Sequence, residues 1–325
     1  NAQGYLMSYP DAFRPMGDKI SSDDFAAYKT AAVSYEDELY GVPFDSGVAA
    51  LFYRTDYLSE IGYTEEDMQD LTWEEYLSLG EQLKTKGHML QTYNPNDIAE
   101  FQIMLQSAGK WFTNEKGEAD FIDNAALEEC YSIFKQLNEA DYTKVVSDWT
   151  EFAGAINSGE VACVLRGCWM TSTLMAEESQ SGKWALAPIP KMNAEGATHY
   201  SNQGGSSWFV LNDSPNSEIA ADFLAKTFGS STELYNTLLK EKSIIGTFLP
   251  ATDVEAYEET SEFFSNQQVN KLLGDWMTKI PAVDTGAFSA EAQNSLVSVT
   301  PAILEGGDLA ENLATAEEQF KQSIQ

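Results

Sequence analysis

Two hydrophobic periods alternate along this chain, and that alternation limits its fold more than any other feature. Residues 48–54 (V-A-A-L-F-Y-R) form a short, almost continuous apolar run, the pattern of a buried strand. Residues 161–165, 184–187 ahead of Pro188, and 207–211 read as further strands. Between these runs the apolar residues recur at helical spacing. Thr72-Trp73-Glu74-Glu75 is a T-x-x-E capping box that opens a helix carrying Tyr76, Leu77, Leu79 and Leu83, with Gly87 as its stop. Asn124 is placed to cap a second helix, whose stripe is Leu127, Cys130, Tyr131, Phe134 and Leu137. A turn at Asn212-Asp213-Ser214-Pro215-Asn216 precedes a third, which carries Ile219, Ala220, Phe223, Leu224 and Phe228 and closes at Gly229. Residues 290–325 hold two more helical patterns, broken at Gly306-Gly307. Strands alternating with helices of about 10–15 residues specify an α/β fold. No period of about 20–50 residues repeats, which excludes a solenoid or propeller.

The length of 325 residues suggests two domains, or one large one. With 19 basic and 51 acidic residues the net charge is −32, which sets nucleic acid and anionic lipid aside as main partners because both would be repelled. No apolar run reaches the ~20 residues of a membrane-spanning helix, and no charged-then-apolar leader opens the chain. Cys130, Cys163 and Cys168 form no CxxC, which argues against a disulfide framework or a zinc site; five residues apart in a strand, Cys163 and Cys168 face opposite sides. Cys130 belongs to a core stripe. His88 and His199, in polar contexts, read as surface residues, too few for a histidine-rich metal site. Neither GxGxxG nor GxxxxGK[ST] occurs, so the usual nucleotide cradles are missing. No cofactor and no metal is expected. The first 40 residues contain no obvious early central strand, which suggests that a segment precedes Asn1.

The chemistry that stands out is aromatic and polar. Among seven tryptophans, Trp149 follows Ser-Asp, Trp169 ends Arg-Gly-Cys-Trp, and Trp208 ends Gly-Gly-Ser-Ser-Trp, all beside glycines or turn residues. A ring so placed offers a flat apolar face to the C–H face of a sugar, while nearby Asp, Asn, Ser and Arg can bond hydroxyls. Core packing is the alternative for each of them.

The order of short motifs resembles a known family. Tyr40-Gly41-Val42-Pro43-Phe44-Asp45-Ser46-Gly47 followed by Leu51-Phe52-Tyr53-Arg54-Thr55-Asp56-Tyr57-Leu58 is similar to the YGVPxD…LFYRKDLF stretch of the extracellular solute-binding proteins of ABC importers, in the sugar-binding branch related to maltose-binding protein. Leu71-Thr72-Trp73-Glu74-Glu75-Tyr76, Gly159-Glu160-Val161-Ala162 through Gly167-Cys168-Trp169, and Gly182-Lys183-Trp184-Ala185-Leu186-Ala187-Pro188-Ile189-Pro190 resemble that family's TWDEF, GKVAMxxxGxW and GKWxVAPLP. Gly204-Gly205-Ser206-Ser207-Trp208 and Leu249-Pro250-Ala251 resemble its GGSSW and late LPA. Each motif is short; the weight lies in six occurring in the right order over residues 40–325.

The resemblance implies an α/β, two-lobed periplasmic-binding-protein-like fold of type II, with a hinge and an interlobe cleft. The lobes fall at 1–46 with 204–262 and at 47–203 with 263–325, the first lacking an N-terminal βα portion. Crossings are expected near 46–48, 203–207 and 263–268, where Gly47, Gly204 and Gly205 suit a hinge. The implied function is a receptor that grips a mono- or oligosaccharide by closing its lobes and delivers it, unchanged, to a membrane permease. Trp169 is the first candidate for ring stacking, and Asp45 and Ser46 for hydroxyl hydrogen bonds. Gly205, Ser206 and Ser207 follow at the second crossing. Arg166 could fork onto sugar hydroxyls, pair with Asp45, or form an ordinary salt bridge. Trp149 and Phe101 are further aromatic candidates, and Phe288 lies where maltose-binding protein keeps a stacking aromatic, in a different local motif.

Two other readings stay open. A glycan hydrolase would use paired carboxylates at separations of ~5–5.5 Å or ~6.5–9.5 Å, yet no two acids here lie in a motif that demands pairing. A receptor of the same fold could take a non-sugar ligand such as a polyamine, which would suit the negative charge. The resemblance further implies a monomer outside the cytoplasmic membrane, periplasmic or, in Gram-positive bacteria, a cell-surface lipoprotein. Three unpaired cysteines are unusual there, though inert if buried.

Overall fold

The apolar run at 48–54 becomes the strand Ala49–Arg54, and every residue of it is buried. Its side chains alternate between two cores: Ala49, Leu51 and Tyr53 enter one cluster, Ala50 and Phe52 another. That is the period of two acting on a strand covered on both faces. The strand is the middle of a three-stranded antiparallel sheet, flanked by Cys163–Gly167 and Trp184–Ala187, with Leu51 opposite both Leu165 and Ala187. A parallel bridge from Met89 to Val161 adds Gln91–Tyr93 and its parallel partner Thr143–Val145 beyond Cys163–Gly167. The computed structural model describes residues 2–114 and 116–325.

Helices close both faces. The Thr72 capping box is formed, its hydroxyl accepting from the Glu75 N–H while the Glu75 carboxylate accepts from the Thr72 N–H, and the helix Trp73–Lys84 follows. The Asn124 side chain accepts from the Leu127 N–H at the head of Ala125–Glu139, which buries the whole stripe foreseen for it. Ser289–Leu304 and Leu309–Ser323 are the two terminal helices, separated at Gly306-Gly307. The three cysteines are free and buried, Cys163 in one cluster and Cys168 in the other.

A third cluster, with Met16, Phe25, Val42, Val210, Leu224 and Phe248, surrounds a smaller pair of antiparallel strands, Gly41–Pro43 and Ser207–Phe209. The chain thus forms a two-lobed α/β fold. The helix Ser217–Lys226 turns Leu224 into this cluster but leaves Ile219 and Phe223 exposed. Both histidines depart from expectation. They are half-buried: His88 stacks on Tyr57 at 3.8 Å, and His199 meets the Ile189 carbonyl and Asp70.

The chain passes between the lobes at residues 44–48 and 202–206, and these segments are bonded to each other. The Gln203 N–H donates to the Gly47 carbonyl (2.7 Å), the Gly47 N–H donates to Asn202 Oδ1 (2.9 Å), and Val48 bridges Asn202. A Cβ on Gly47 would land on the Gln203 carbonyl, so only glycine permits this approach. Gly205 has φ +82°, and its Cβ would meet the Asp45 carbonyl at 2.6 Å. A further segment, 245–247, is bonded beside Asp45: the Ser46 N–H donates to Ile245 O (2.8 Å) and the Thr247 N–H to Phe44 O (2.9 Å). Residues 263–268 edge the sheet, where the Gln267 amide exchanges hydrogen bonds with both backbone groups of Leu186.

Gly47→Ala forces the two crossings apart, and we expect a loss of at least ~2 kcal/mol, seen as a melting temperature lowered by several degrees. Gly154→Ala, where a Cβ meets nothing within 4 Å, is the control and should melt at or above the parent temperature.

Candidate functional site

A cavity of about 560 Å³ opens where the crossings meet both lobes, within the size range of small-molecule sites. Its back is the crossing itself, residues 202–207. One wall comes from the short helix Ala27–Ala32, through Tyr28 and Lys29, and from Phe209. The facing wall comes from the sheet's lobe: Gln102, Gln106, Trp111, Ser289 and Gln293.

That facing wall is a bonded polar network. Gln102 and Gln106 are four apart on the helix Ala99–Ser107, as Ser289 and Gln293 are on Ser289–Leu304, so each pair shares a helix face. Gln102 Nε2 donates to Gln293 Oε1 (2.6 Å), and Gln293 Nε2 donates to Ser289 Oγ (3.1 Å). Trp111 Nε1 donates to the same Ser289 oxygen (2.8 Å), which pins the indole in the wall. An aromatic plate among fixed amide and hydroxyl groups is what a polyhydroxylated ring needs for both its faces and its edges.

On the other wall the Tyr28 hydroxyl donates to Asn202 Oδ1 (3.1 Å) and shares a hydrogen bond with Ser46, which is buried there and turned away from solvent. Burial raises the Tyr28 phenol above its ordinary range, so it stays a neutral donor. The Asp45 carboxylate accepts from the Ser206 N–H and shapes the turn around Gly205. The Lys29 ammonium is lowered to about 8 by burial, with the Asp45 charge acting against that shift. Among the described residues no cluster of histidine, cysteine, aspartate and glutamate could hold a metal ion.

The candidates from sequence divide into three groups. Gly205, Ser206 and Ser207 line the cavity, and Asp45 and Ser46 brace it from behind. Trp169 is 41% exposed, and its Nε1 donates to Gln203 O (3.1 Å); it stands beside the crossing, 5.9 Å from the 52%-exposed Trp149, which stacks on Phe152. Neither indole lines the cavity. Phe101 is corrected outright: at 2% exposure it packs edge-on against Tyr131 and Phe134 in the core, and no ligand can reach its faces. Arg166 is buried, pairs with Glu100 and with Asp97 (3.5 Å), and lies over the Phe152 ring, so the pairing with Asp45 gives way to a salt bridge inside one lobe. Phe288 is half-buried against the main core at the head of Ser289–Leu304.

Sequence reading missed Lys29, Trp111, the pair Gln102 and Gln106, and the pair Ser289 and Gln293. Trp111 follows Gly109-Lys110, the same glycine-neighbour signal that singled out Trp169. Lys29 is a lone charge in F-A-A-Y-K-T-A-A-V, which carried its own signal.

Three comparisons bear on this geometry. A family model described as bacterial extracellular solute-binding protein matches residues 1–269. The lactose-binding protein of Rhizobium radiobacter is 40% identical over 325 residues, covering 100% of this chain and 77% of that protein. The arabinooligosaccharide-binding protein of Halalkalibacterium halodurans is 24% identical over 307 residues, 89% of this chain and 66% of that one. Among solved structures, the galacto-N-biose/lacto-N-biose I-binding protein of Bifidobacterium longum superposes with a TM-score of 0.77 at 18% identity, over 99% of this chain and 80% of that one, a likeness of fold.

Burial raises the Glu100 carboxyl, and Arg166 acts against that shift. Arg166→Met leaves Glu100 buried without its counter-charge, so its pKa rises further. The folded-state pKa then lies above the unfolded value, and stability falls as pH rises through it. We expect a loss of ~3 kcal/mol at about pH 8 and a smaller one at about pH 5, read from urea melts.

Proposed function

This chain belongs to the bacterial extracellular solute-binding proteins, and on that footing we propose that it is a carbohydrate receptor whose ligand is a disaccharide or short oligosaccharide held in the 560 Å³ cavity between the lobes. The observation that carries the proposal is the composition of the cavity wall. Trp111 supplies an apolar plate, while Gln102, Gln293, Ser206 and Ser207 surround it with neutral donors and acceptors. The names of the two relatives, one for lactose and one for arabinooligosaccharides, point to the same class. As in a family of binding proteins, the ligand leaves unchanged.

Trp169 and Trp149 then form an outer aromatic ledge beside Gln203, suited to a further sugar unit of a longer ligand. The lobes are taken as 1–46 with 204–262 and 47–203 with 263–325. The separate cluster around Val42 supports the first lobe, while Ala26, Tyr28, Leu239, Ile245, Ala256 and Tyr257 from the same ranges pack with Ala50 and Phe52 on the sheet's side. Closure of the lobes over the sugar follows from differential affinity for the closed form. The receptor works as a monomer outside the cytoplasmic membrane, periplasmic or lipid-anchored, and presents its closed form to an ABC-transporter permease. Among the described residues no helix is long and apolar enough to cross a membrane.

Titration calorimetry with lactose, an arabinooligosaccharide and spermidine tests this reading. We expect heat with a sugar, and a Kd about 10–100-fold weaker in Trp111→Ala. Trp169→Ala should weaken a trisaccharide more than a disaccharide. Heat with spermidine alone, or steady release of reducing ends, contradicts a sugar receptor.

A further inference from the structure

Among the described residues three cations are buried: Lys29, Arg54 and Arg166. Arg54 is forked onto Asp56 through Nε (2.8 Å) and Nη2 (2.7 Å), and Arg166 holds Glu100 and Asp97. Lys29 is only 6% exposed, and while its backbone N–H donates to Ala26 O, its ammonium has no hydrogen-bond or ion-pair partner among the described residues. Its side chain lines the cavity, with Nζ lying 2.9 Å from where a Cβ on Gly205 would sit. The absence of that Cβ gives the ammonium its place over the crossing. The nitrogen keeps its access to the cavity, where solvent can accept from it, but at this burial few waters reach it, and oxygens of a ligand would take their place.

We propose, resting on the saccharide reading of the cavity, that Lys29 is a specificity-determining ligand contact: its ammonium donates to oxygens of the sugar seated against residues 204–206. An ammonium has three donors and no acceptor, so it reads oxygen lone pairs and nothing else. In a chain of net charge −32 a buried cation in the cleft also excludes cationic ligands, which the acidic surface would otherwise attract. Among the described residues no other group around the cleft is hydrogen-bonded or ion-paired to its ammonium. The Asp45 carboxylate is within electrostatic reach but accepts from Ser206 N–H. The Tyr28 hydroxyl is committed to Ser46 and Asn202, and Tyr5 lines the rim. Outside the cavity lining, Asp97 and Glu100 both pair with Arg166, and Asp284 accepts from the Gly286 N–H.

The sign of the pH dependence follows. Burial holds the free ammonium at about 8. Acceptor oxygens from the ligand favour the charged form, so its pKa in the complex is higher and binding takes up a proton. Affinity is therefore greatest below about pH 8 and falls by up to ~10-fold per pH unit above it, until the pKa of the complex is passed.

The test is calorimetry with whichever saccharide of the panel binds the parent protein most tightly. At about pH 8, in two buffers of different ionisation enthalpy, the parent should take up roughly half a proton per ligand. Lys29→Met should bind about 10–100-fold more weakly, with a pH-independent Kd and an unchanged or raised melting temperature. Should Lys29→Met fail to fold, proton uptake and the pH profile of the parent decide alone. Equal affinity in the variant, or a parent Kd that is flat from about pH 7 to about pH 9 with no proton uptake, overturns the role of Lys29 and leaves the receptor reading standing. Failure of every sugar to bind overturns both.

Discussion

The contact between Gly47 and Gln203 is the joint on which the site depends. Two chain segments cross there at a distance that only a residue without a side chain permits, and both backbone directions are used: Gln203 N–H to Gly47 O, and Gly47 N–H to the Asn202 side chain. Everything that lines the back of the cavity is anchored to this joint. Asn202 is held by Tyr28 and Gly47, Gln203 by Gly167 and Trp169, and Ser206 by Asp45. Tyr28 to Asn202 reaches from one lobe to the other, while the remaining bonds tie the two crossing segments to each other or to their own lobe, so a change in lobe orientation has to be absorbed by the few residues between them. Gly204 and Gly205, both at positive φ, are the least restricted of these.

The cavity joins two kinds of wall. The sheet's lobe contributes a preformed amide and hydroxyl network, with its bonds made before any ligand arrives. The other lobe contributes a buried ammonium whose acceptors have yet to be supplied. Such an asymmetry suits a receptor that must release its cargo. The preorganised wall costs little entropy to use, and the unsatisfied wall gives the ligand a reason to favour the form in which both lobes touch it.

Much of the framework was legible in the sequence because it rests on local signals. The Thr72 capping box, the Asn124 cap, the break at Gly306-Gly307 and the strands at 49–54 and 184–187 are decided by neighbours within a few residues. The site was legible only where a motif sat on the crossing itself, as at Gly205, Ser206 and Ser207. Phe101 looked like an available aromatic, but its exposure depended on the packing of Tyr131 and Phe134, about 30 residues away in sequence. Arg166 found its partners across the strand in Glu100 and Asp97, a pairing that no spacing announces. Gln102 and Gln293 became one wall only when Ala99–Ser107 and Ser289–Leu304 were brought together. Tertiary assembly decides such cases, and one sequence holds no local trace of it.

The central claim is that the space between Trp111 and residues 204–207 is where the cargo sits. A crystal structure grown with lactose reads this directly. We expect density for a pyranose ring against the Trp111 indole, with a sugar oxygen within hydrogen-bonding distance of Lys29 Nζ. Density for the sugar elsewhere, with this cavity holding only solvent, would contradict it.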